Sequence, residues 1–157
     1  MTYTETRNRK INHTIESTIS NFCTLFDATH KTIEDIIFIH RNDFPWFNVH
    51  TEFNETDFNI IVNTFIYSDL PISDAIKLRE AVKSDVVLNL LEETISDLWF
   101  YEDTNLLASY SFNWKYKSYS TLSTKLIIEI YTQLQNISEI QKALTIAIED
   151  KTRVGVN

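Results

Sequence analysis

The sequence indicates an α+β fold, because hydrophobic residues recur at two different periods along its 157 residues. Spacings of three and four residues, which place side chains on one face of a helix, occur near both ends and in the middle. Alternation of apolar and polar residues, typical of a half-buried strand, occurs at 47–54 and 110–117. We expect amphipathic helices packed on a small antiparallel sheet of three or four strands. The alternative is an all-α bundle in which 58–67 is also helical.

Two helices are predicted in the first 45 residues. The first is marked by apolar residues at helical spacing: Ile11, Ile15, Ile19, Phe22 and Phe26. The second is expected to begin at Thr32, because Asp35 three residues later resembles a capping box. Its apolar residues are Ile33, Ile36 and Ile37. It would end before Phe44-Pro45, since proline disfavours helical geometry in the residue that precedes it.

A β-hairpin is predicted between residues 47 and 67. The segment Phe47–Phe53 alternates apolar and polar side chains, and the Asn-Glu-Thr-Asp sequence at 54–57 is typical of a turn. The run 58–67 is rich in β-branched residues, which favours a second strand. Its apolar residues also fit helical spacing, but we interpret it as a strand.

A helix, a turn and a further strand are expected in 71–117. Pro71 followed by Ser73 predicts a helix start. An apolar stripe extends this helix, with a potential break at Ser84-Asp85: Leu78, Val82, Val86 or Val87, Leu90 or Leu91, Ile95 and Leu98. Residues 102–105 are turn-like. The strand that follows has four aromatic residues on one face, which we expect to pack beneath the helices: Tyr110, Phe112, Trp114 and Tyr116.

The C-terminal segment is predicted to be helical. Its apolar stripe comprises Leu122, Leu126, Ile130, Leu134, Ile137, Ile140, Leu144 and Ile148. No glycine or proline interrupts the stripe, which favours one helix of about 30 residues. A break at Asn136 is an equal alternative, since Ser138 and Gln141 form a capping-box pattern.

The composition indicates a single compact domain over residues 1–157. A hydrophobic content of 43% suffices for a core without disulfides or metal. Cys23 is the only cysteine and has apolar neighbours, so we expect an inert buried thiol in a reducing compartment. No run approaches the roughly 20 apolar residues of a membrane span, and the polar N-terminus does not resemble a signal peptide. A cytoplasmic location is therefore expected.

The scarcity of glycine excludes several classes of enzyme. Gly155 is the only glycine in the chain. Glycine-rich phosphate loops, dinucleotide-binding turns and glycine-framed nucleophile elbows all need glycine within the fold, so none is expected here. Residues with AT-rich codons are abundant, which indicates an AT-rich genome such as that of a low-GC bacterium, its phages or its plasmids.

The net charge of −8 is concentrated in the middle of the chain. Residues 27–103 carry sixteen acidic and five basic side chains, whereas the stretches on either side have a slight basic excess. Nucleic-acid binding depends on Lys and Arg that neutralise phosphates, so direct binding of nucleic acid is not expected. The same field would attract a basic partner protein.

The candidate partner-binding site combines aromatic and acidic residues. Aromatic side chains are enriched in interface hot spots, and an acidic surround would favour a basic partner. The predicted site comprises Glu92, Glu93, Asp97, Trp99, Tyr101, Glu102 and Asp103. The competing interpretation is that Trp99 and Tyr101 close the core at the end of the preceding helix.

No catalytic residue, cofactor or metal site is predicted. His30 and Glu34 have the i, i+4 spacing of two metal ligands on a helix, but no further Cys or His pair would complete a zinc site. His50 lies on the polar side of its strand and is expected to be exposed. Carboxylate chemistry between Glu92 and Asp103 is the enzymatic alternative.

The leading functional hypothesis is a non-enzymatic acidic protein that binds and inhibits or neutralises a partner. Immunity proteins, antitoxins and phage or plasmid inhibitors of host defence are the candidate classes, and the partner could be a nucleic-acid-binding enzyme. The alternatives are a small carboxylate enzyme and a structural protein that self-associates through its C-terminal helix.

Overall fold

The computed structural model describes residues 1–41, 47–83, 89 and 97–156. The elements in chain order are α1 (Tyr3–Phe26), β1 (Thr29–Ile33), β2 (Ile36–His40), β3 (Phe47–Phe53), β4 (Asp57–Tyr67), α2 (Ile72–Ala81), β5 (Asp97–Tyr101), β6 (Asn105–Lys115), a 3₁₀ helix (Tyr116–Thr121) and α3 (Leu122–Val156). The described strands form one sheet in the order β1-β2-β3-β4-β6-β5. The predicted α+β class is confirmed, the all-α alternative is not favoured, and the sheet is larger than the three or four strands expected.

Helix α1 begins eight residues before the stripe that predicted it. Its start is fixed by a capping box, in which the Thr2 hydroxyl accepts a hydrogen bond from the Glu5 N–H at 3.1 Å. The Glu5 carboxylate in turn accepts one from the Thr2 N–H at 3.3 Å. The helix ends where Asp27 adopts a left-handed conformation with φ 53°.

The predicted second helix is wrong, because residues 29–40 form the β1–β2 hairpin. Glu34 and Asp35 both have positive φ, 50° and 65°, and connect the strands as a two-residue turn. In β2 the side chains of Ile37 and Ile39 are buried while their neighbours are half-buried. Burial along β2 therefore alternates with a period of two, and the capping-box pattern at Thr32 is coincidental.

The predicted hairpin of 47–67 is confirmed. Strands β3 and β4 pair antiparallel, with Phe47 opposite Thr64 and Phe53 opposite Phe58. The Asn54 N–H donates to the Asp57 carbonyl at 2.8 Å and closes the turn. Along β4, every second residue from Phe58 to Ile66 is buried, which explains why the strand interpretation of 58–67 is correct.

The helix predicted from Pro71 to Leu98 is only partly confirmed. Helix α2 ends at Ala81, and Leu98 lies in strand β5, so the helical assignment of Leu98 is wrong. The proposed break at Ser84-Asp85 lies outside the described residues, as does part of the stripe: Val86, Val87, Leu90, Leu91 and Ile95.

The C-terminal segment forms one helix, so the alternative break at Asn136 is not found. The side chains of the predicted stripe are buried from Leu122 to Leu144. In β6 the aromatic face is also on the buried side: Tyr110 is buried, and Phe112 and Trp114 are half-buried. Tyr116 belongs to the 3₁₀ helix instead of the strand.

The first of two compact units contains Met1–Thr64 and Ser111–Tyr131. Its core joins α1 to the sheet, with the ring of Phe22 6.1 Å from that of Phe47 in an edge-to-face arrangement. The ring of Phe26 stacks on Tyr131 of α3 at 5.7 Å. The buried strand residues of this unit include Ile37, Ile39, Val49, Phe58, Ile60 and Val62.

The second unit contains Phe65–Tyr110 and Thr132–Asn157. Here the Tyr67 hydroxyl donates to the Gln141 carbonyl at 3.0 Å, and the Gln141 amide donates to the Ile66 carbonyl at 3.1 Å. These bonds attach α3 to the end of β4. Residues buried in this unit include Leu78, Leu106, Ala108, Leu134 and Leu144.

No helix in the described part of the chain combines the length and the hydropathy required to cross a membrane.

Candidate functional site

The β5–β6 hairpin carries most of the predicted site and separates its residues onto two faces. Because side chains alternate along a strand, Leu98 and Phe100 lie on one face and pair with Ala108 and Leu106, which are fully buried. The other face of β5 carries three of the predicted residues: Asp97, Trp99 and Tyr101. These lie opposite Ser109, Leu107 and Asn105 of β6.

The hairpin ends in an acidic turn. Glu102 and Asp103 have φ values of 52° and 61°, and the Thr104 N–H donates to the Glu102 carbonyl at 2.8 Å. The Asn105 side chain donates to the Tyr101 carbonyl at 3.2 Å and supports the turn from within. Both carboxylates are exposed at the tip.

The segment before α2 holds the hairpin tip in place. The Leu70 N–H donates to the Thr104 carbonyl at 2.8 Å, and the Asp69 N–H donates to the Asn105 side chain at 2.9 Å. These backbone donors attach the chain at the start of α2 directly to the turn. The tip is therefore positioned by the fold and not only by its own strands.

Arg79 of α2 is the basic residue beside this acidic tip. Its guanidinium pairs with the Asp103 carboxylate at 2.5 Å and lies over the ring of Phe100, 4.4 Å from the ring centre. The Asp103 side chain is 91% exposed, so the pair is screened by water and adds little to stability. The contact nevertheless shows that the hairpin accommodates a guanidinium between a carboxylate and an aromatic ring.

The remaining site residues differ in their exposure. Tyr101 is 54% exposed, Asp97 is exposed and Trp99 is half-buried. The Asp97 carboxylate accepts a hydrogen bond from the Leu98 N–H at 2.9 Å. Trp99 and Tyr101 lie in strand β5, and whether Trp99 also closes the core stays a prediction. Glu92 and Glu93 lie outside the described residues.

The carboxylates that flank β5 are far apart. Asp97 and Glu102 stand at opposite ends of β5, about 16 Å apart at roughly 3.3 Å per residue. Two carboxyl groups that share glycoside hydrolysis lie only about 5–9.5 Å apart. The third carboxylate, Asp103, is paired with Arg79. Glu92 and Glu93, which also belong to the enzymatic alternative, lie outside the described residues, so this alternative stays a prediction.

A concave surface lies in the first unit, between α1 and the β1–β2 turn. This polar groove of about 590 Å³ is lined by Glu5, Arg9, Asn12 and Glu16 of α1 and by Asp35 of the turn. No cluster of three or more metal-ligating side chains exists among the described residues. Sequence reasoning missed the groove because it placed Asp35 in a helix.

The histidines of the first unit differ from expectation. His30 lies in β1 and Glu34 in the following turn, so the helical i, i+4 pair does not form. His50 was expected to be exposed, but it is half-buried, and its Nδ1 is buried without a hydrogen-bond partner in the described part of the chain. A cavity of about 20 Å³ adjoins it.

Cys23 is buried in α1, as expected for a packing residue. Burial raises the pKa of its thiol, because desolvation disfavours the thiolate. Its reactivity as a nucleophile is correspondingly low.

Comparison with protein-family models, with curated proteins and with solved structures gives no match to this chain.

Proposed function

We propose that the protein is a non-enzymatic, acidic protein-binding module that inhibits or neutralises a basic partner protein. The candidate classes are immunity proteins, antitoxins and phage or plasmid inhibitors of host defence, with a nucleic-acid-binding enzyme as the favoured type of target. The proposal assigns the protein to the cytoplasm.

One observation supports this proposal most strongly. Asp97, Trp99 and Tyr101 share one face of β5, and the acidic turn of Glu102 and Asp103 follows directly. Trp and Tyr are enriched in interface hot spots, and the acidic residues around them favour a basic partner. The tip is held by the backbone bonds from Asp69 and Leu70, so little conformational entropy is lost on binding.

The charge of the chain supports a basic partner. Residues 65–110, which contain this hairpin, carry nine acidic and three basic side chains. A field of this sign accelerates encounter with a positively charged protein and repels nucleic acid. Enzymes that act on nucleic acids present positive surfaces to phosphates, and carboxylates can occupy the same surfaces.

Capture with matched charge variants tests the proposal. The site variant is Glu102→Gln with Asp103→Asn. The control is Glu34→Gln with Asp35→Asn, which removes the same residue types from a turn with nearly the same backbone angles, φ 50° and 65° against 52° and 61°. Each protein is immobilised and exposed at low salt to lysate from a low-GC bacterium. The readout is the identity and isoelectric point of the retained proteins.

We expect the unmodified protein and the control to retain the same basic nucleic-acid-binding protein, and the site variant to retain much less of it. The activity of that partner should fall when the unmodified protein is added. Equal retention by both variants, or a retained partner whose activity is unchanged, would contradict the proposal.

A further inference from the structure

Strand β5 is the last strand at one edge of the sheet that the described residues form. A terminal strand has backbone N–H and C=O groups on its outer side that can pair with another strand. We propose that an extended, arginine-containing segment of the partner adds to β5 as a further antiparallel or parallel strand, with a guanidinium placed against Asp97 and the ring of Trp99. This inference rests on the proposed function and specifies the partner chemistry and the binding mode.

The side chains of β5 favour a basic segment. Asp97, Trp99 and Tyr101 occur at every second residue and so face the same side as alternate residues of an added strand. A carboxylate next to an aromatic ring suits arginine better than lysine, because the planar guanidinium stacks and pairs at once. Arg79 already has both kinds of contact on this hairpin, with Phe100 and Asp103.

One backbone N–H of β5 is hydrogen-bonded to the carboxylate that would bind the arginine. The Leu98 N–H donates to the Asp97 carboxylate at 2.9 Å, so a side chain occupies this donor in the free protein. When an arginine attracts that carboxylate, the Leu98 N–H is released for a carbonyl of the added strand. A neutral segment would have to displace the carboxylate without compensation, which favours arginine-bearing segments.

A second copy of the chain is a poorer occupant of this edge. Antiparallel self-pairing centred on Trp99 would place Asp97 of one copy opposite Tyr101 and next to Glu102 of the other, twice in each dimer. Each copy also carries a net charge of −8. Two chains of this charge repel each other, whereas a basic segment is attracted.

The opposite edge of the sheet does not suit the same ligand. Strand β1 is exposed along its whole length and has Lys31 at its centre. A lysine in the middle of an edge strand repels a basic segment and protects against strand addition. Within the strands themselves, β1 carries a lysine and β5 an aspartate, so β5 is the better match for an arginine-containing strand.

Fluorescence anisotropy with labelled peptides tests this mode. The probe is a blocked seven-residue peptide of alternating arginine and valine, measured at low salt. Two derivatives have methyl groups on the backbone nitrogens of either the arginines or the valines, so each blocks one edge of the peptide and leaves all side chains intact. The protein variants are Asp97→Asn and, as control, Asp35→Asn in the β1–β2 turn.

We expect the unmodified peptide to bind, one methylated derivative to bind at least tenfold more weakly, and the other to bind nearly as well. Asp97→Asn should weaken binding about fivefold, with Asp35→Asn unchanged. Equal binding of both methylated peptides would overturn strand addition. So would concentration-dependent dimerisation that Trp99→Ala abolishes.

The outcomes of the peptide and capture experiments distinguish strand addition from the proposed function. If the peptide does not bind but a basic protein is still retained through Glu102 and Asp103, strand addition is overturned and the proposed function stands. If neither the peptide nor any basic protein is retained through the hairpin, both are overturned.

Discussion

Acidic residues occupy the left-handed backbone positions of this protein. Every residue with positive φ in the described part of the chain is Asp or Glu: Asp27, Glu34, Asp35, Asp69, Glu102 and Asp103. Glycine normally fills such positions because it has no Cβ, but Gly155 is the only one available. Asp tolerates this conformation through local hydrogen bonding, whereas Glu is less suited to it. Part of the acidic excess in 27–103 therefore serves turn geometry.

This turn usage predicts that Glu34→Gly stabilises the protein. Relief of the left-handed strain should raise the free energy of unfolding by about 0.5–1 kcal/mol, after allowance for the greater freedom of glycine in the unfolded chain. Denaturant unfolding measures this change. Glu55→Gly is the control, because Glu55 lies in the 54–57 turn without positive φ, and it should give no gain. A loss of stability in Glu34→Gly would contradict the turn assignment.

Asp57 is held in its charged form at the β3–β4 turn. Its pKa lies below the ordinary value of 3.8, chiefly because the side chains of Asn54 and Asn113 hydrogen-bond to the carboxylate, with Lys115 contributing at 3.6 Å. A lowered folded pKa means that the stabilisation is complete above the unfolded pKa and is lost as the pH falls through the folded one.

We therefore expect the stability difference between the unmodified protein and Asp57→Asn to be constant above about pH 5 and to shrink below about pH 4. Urea unfolding at a series of pH values measures it. A difference that grows on acidification would show that the carboxylate is not stabilised in the folded state.

The elements show what periodicity can and cannot predict. Long stripes such as those of α1 and α3, and the alternation in β3 and β6, identified their elements because many residues agree. The β1–β2 hairpin was missed because its strands have five residues each and its turn lacks the Asn-Gly or Gly-Gly signal. The start of β5 was missed because the apolar stripe at helical spacing extends to Leu98.

Two isoleucines two positions apart can test which face of α3 is buried. Ile130 is 0% exposed and Ile128 is 59% exposed. Ile130→Ala should lower the free energy of unfolding by about 2–4 kcal/mol through lost burial and a residual cavity. Ile128→Ala should change it by less than about 0.5 kcal/mol. Thermal or denaturant unfolding measures both, and equal effects would contradict the buried face assigned to the helix.

The contact between α2 and the hairpin predicts an effect of Arg79→Gln on binding. Removal of the guanidinium leaves Asp103 uncompensated, so a basic ligand should bind more tightly, by about two- to fivefold at low salt. Lys83→Gln serves as the control, because it also removes one positive charge and lies two residues after the end of α2. Anisotropy with the arginine–valine peptide measures the change, and unchanged or weaker binding would show that Asp103 takes no part in recognition.

At the scale of the molecule, the fold class was predictable and the assembly of the site was not. The seven residues of the predicted partner-binding site form a group in the sequence only because they are close to one another along the chain. Only the pairing of β5 with β6 shows that Asp97, Trp99 and Tyr101 share a face, and only the tertiary contact reveals Arg79 beside Asp103. Sequence alone has no signal for a neutralising residue that lies 24 positions away.

The net charge of −8 predicts a strong salt dependence of association. With the basic partner recovered by capture, the association rate constant should fall by about tenfold or more between low and physiological ionic strength, because screening removes long-range steering. The dissociation rate constant should change less. Stopped-flow or surface-based kinetics measure both, and a salt-independent association rate would contradict electrostatic recruitment.

Hydrogen–deuterium exchange of the protein with and without that basic partner most directly tests whether the hairpin is the binding surface. We predict that the backbone amides of 97–105 become protected in the complex, while those of β1 at the opposite edge exchange as in the free protein. Protection confined to α1 and the β1–β2 turn, with 97–105 unchanged, would contradict the assignment of the hairpin as the binding surface.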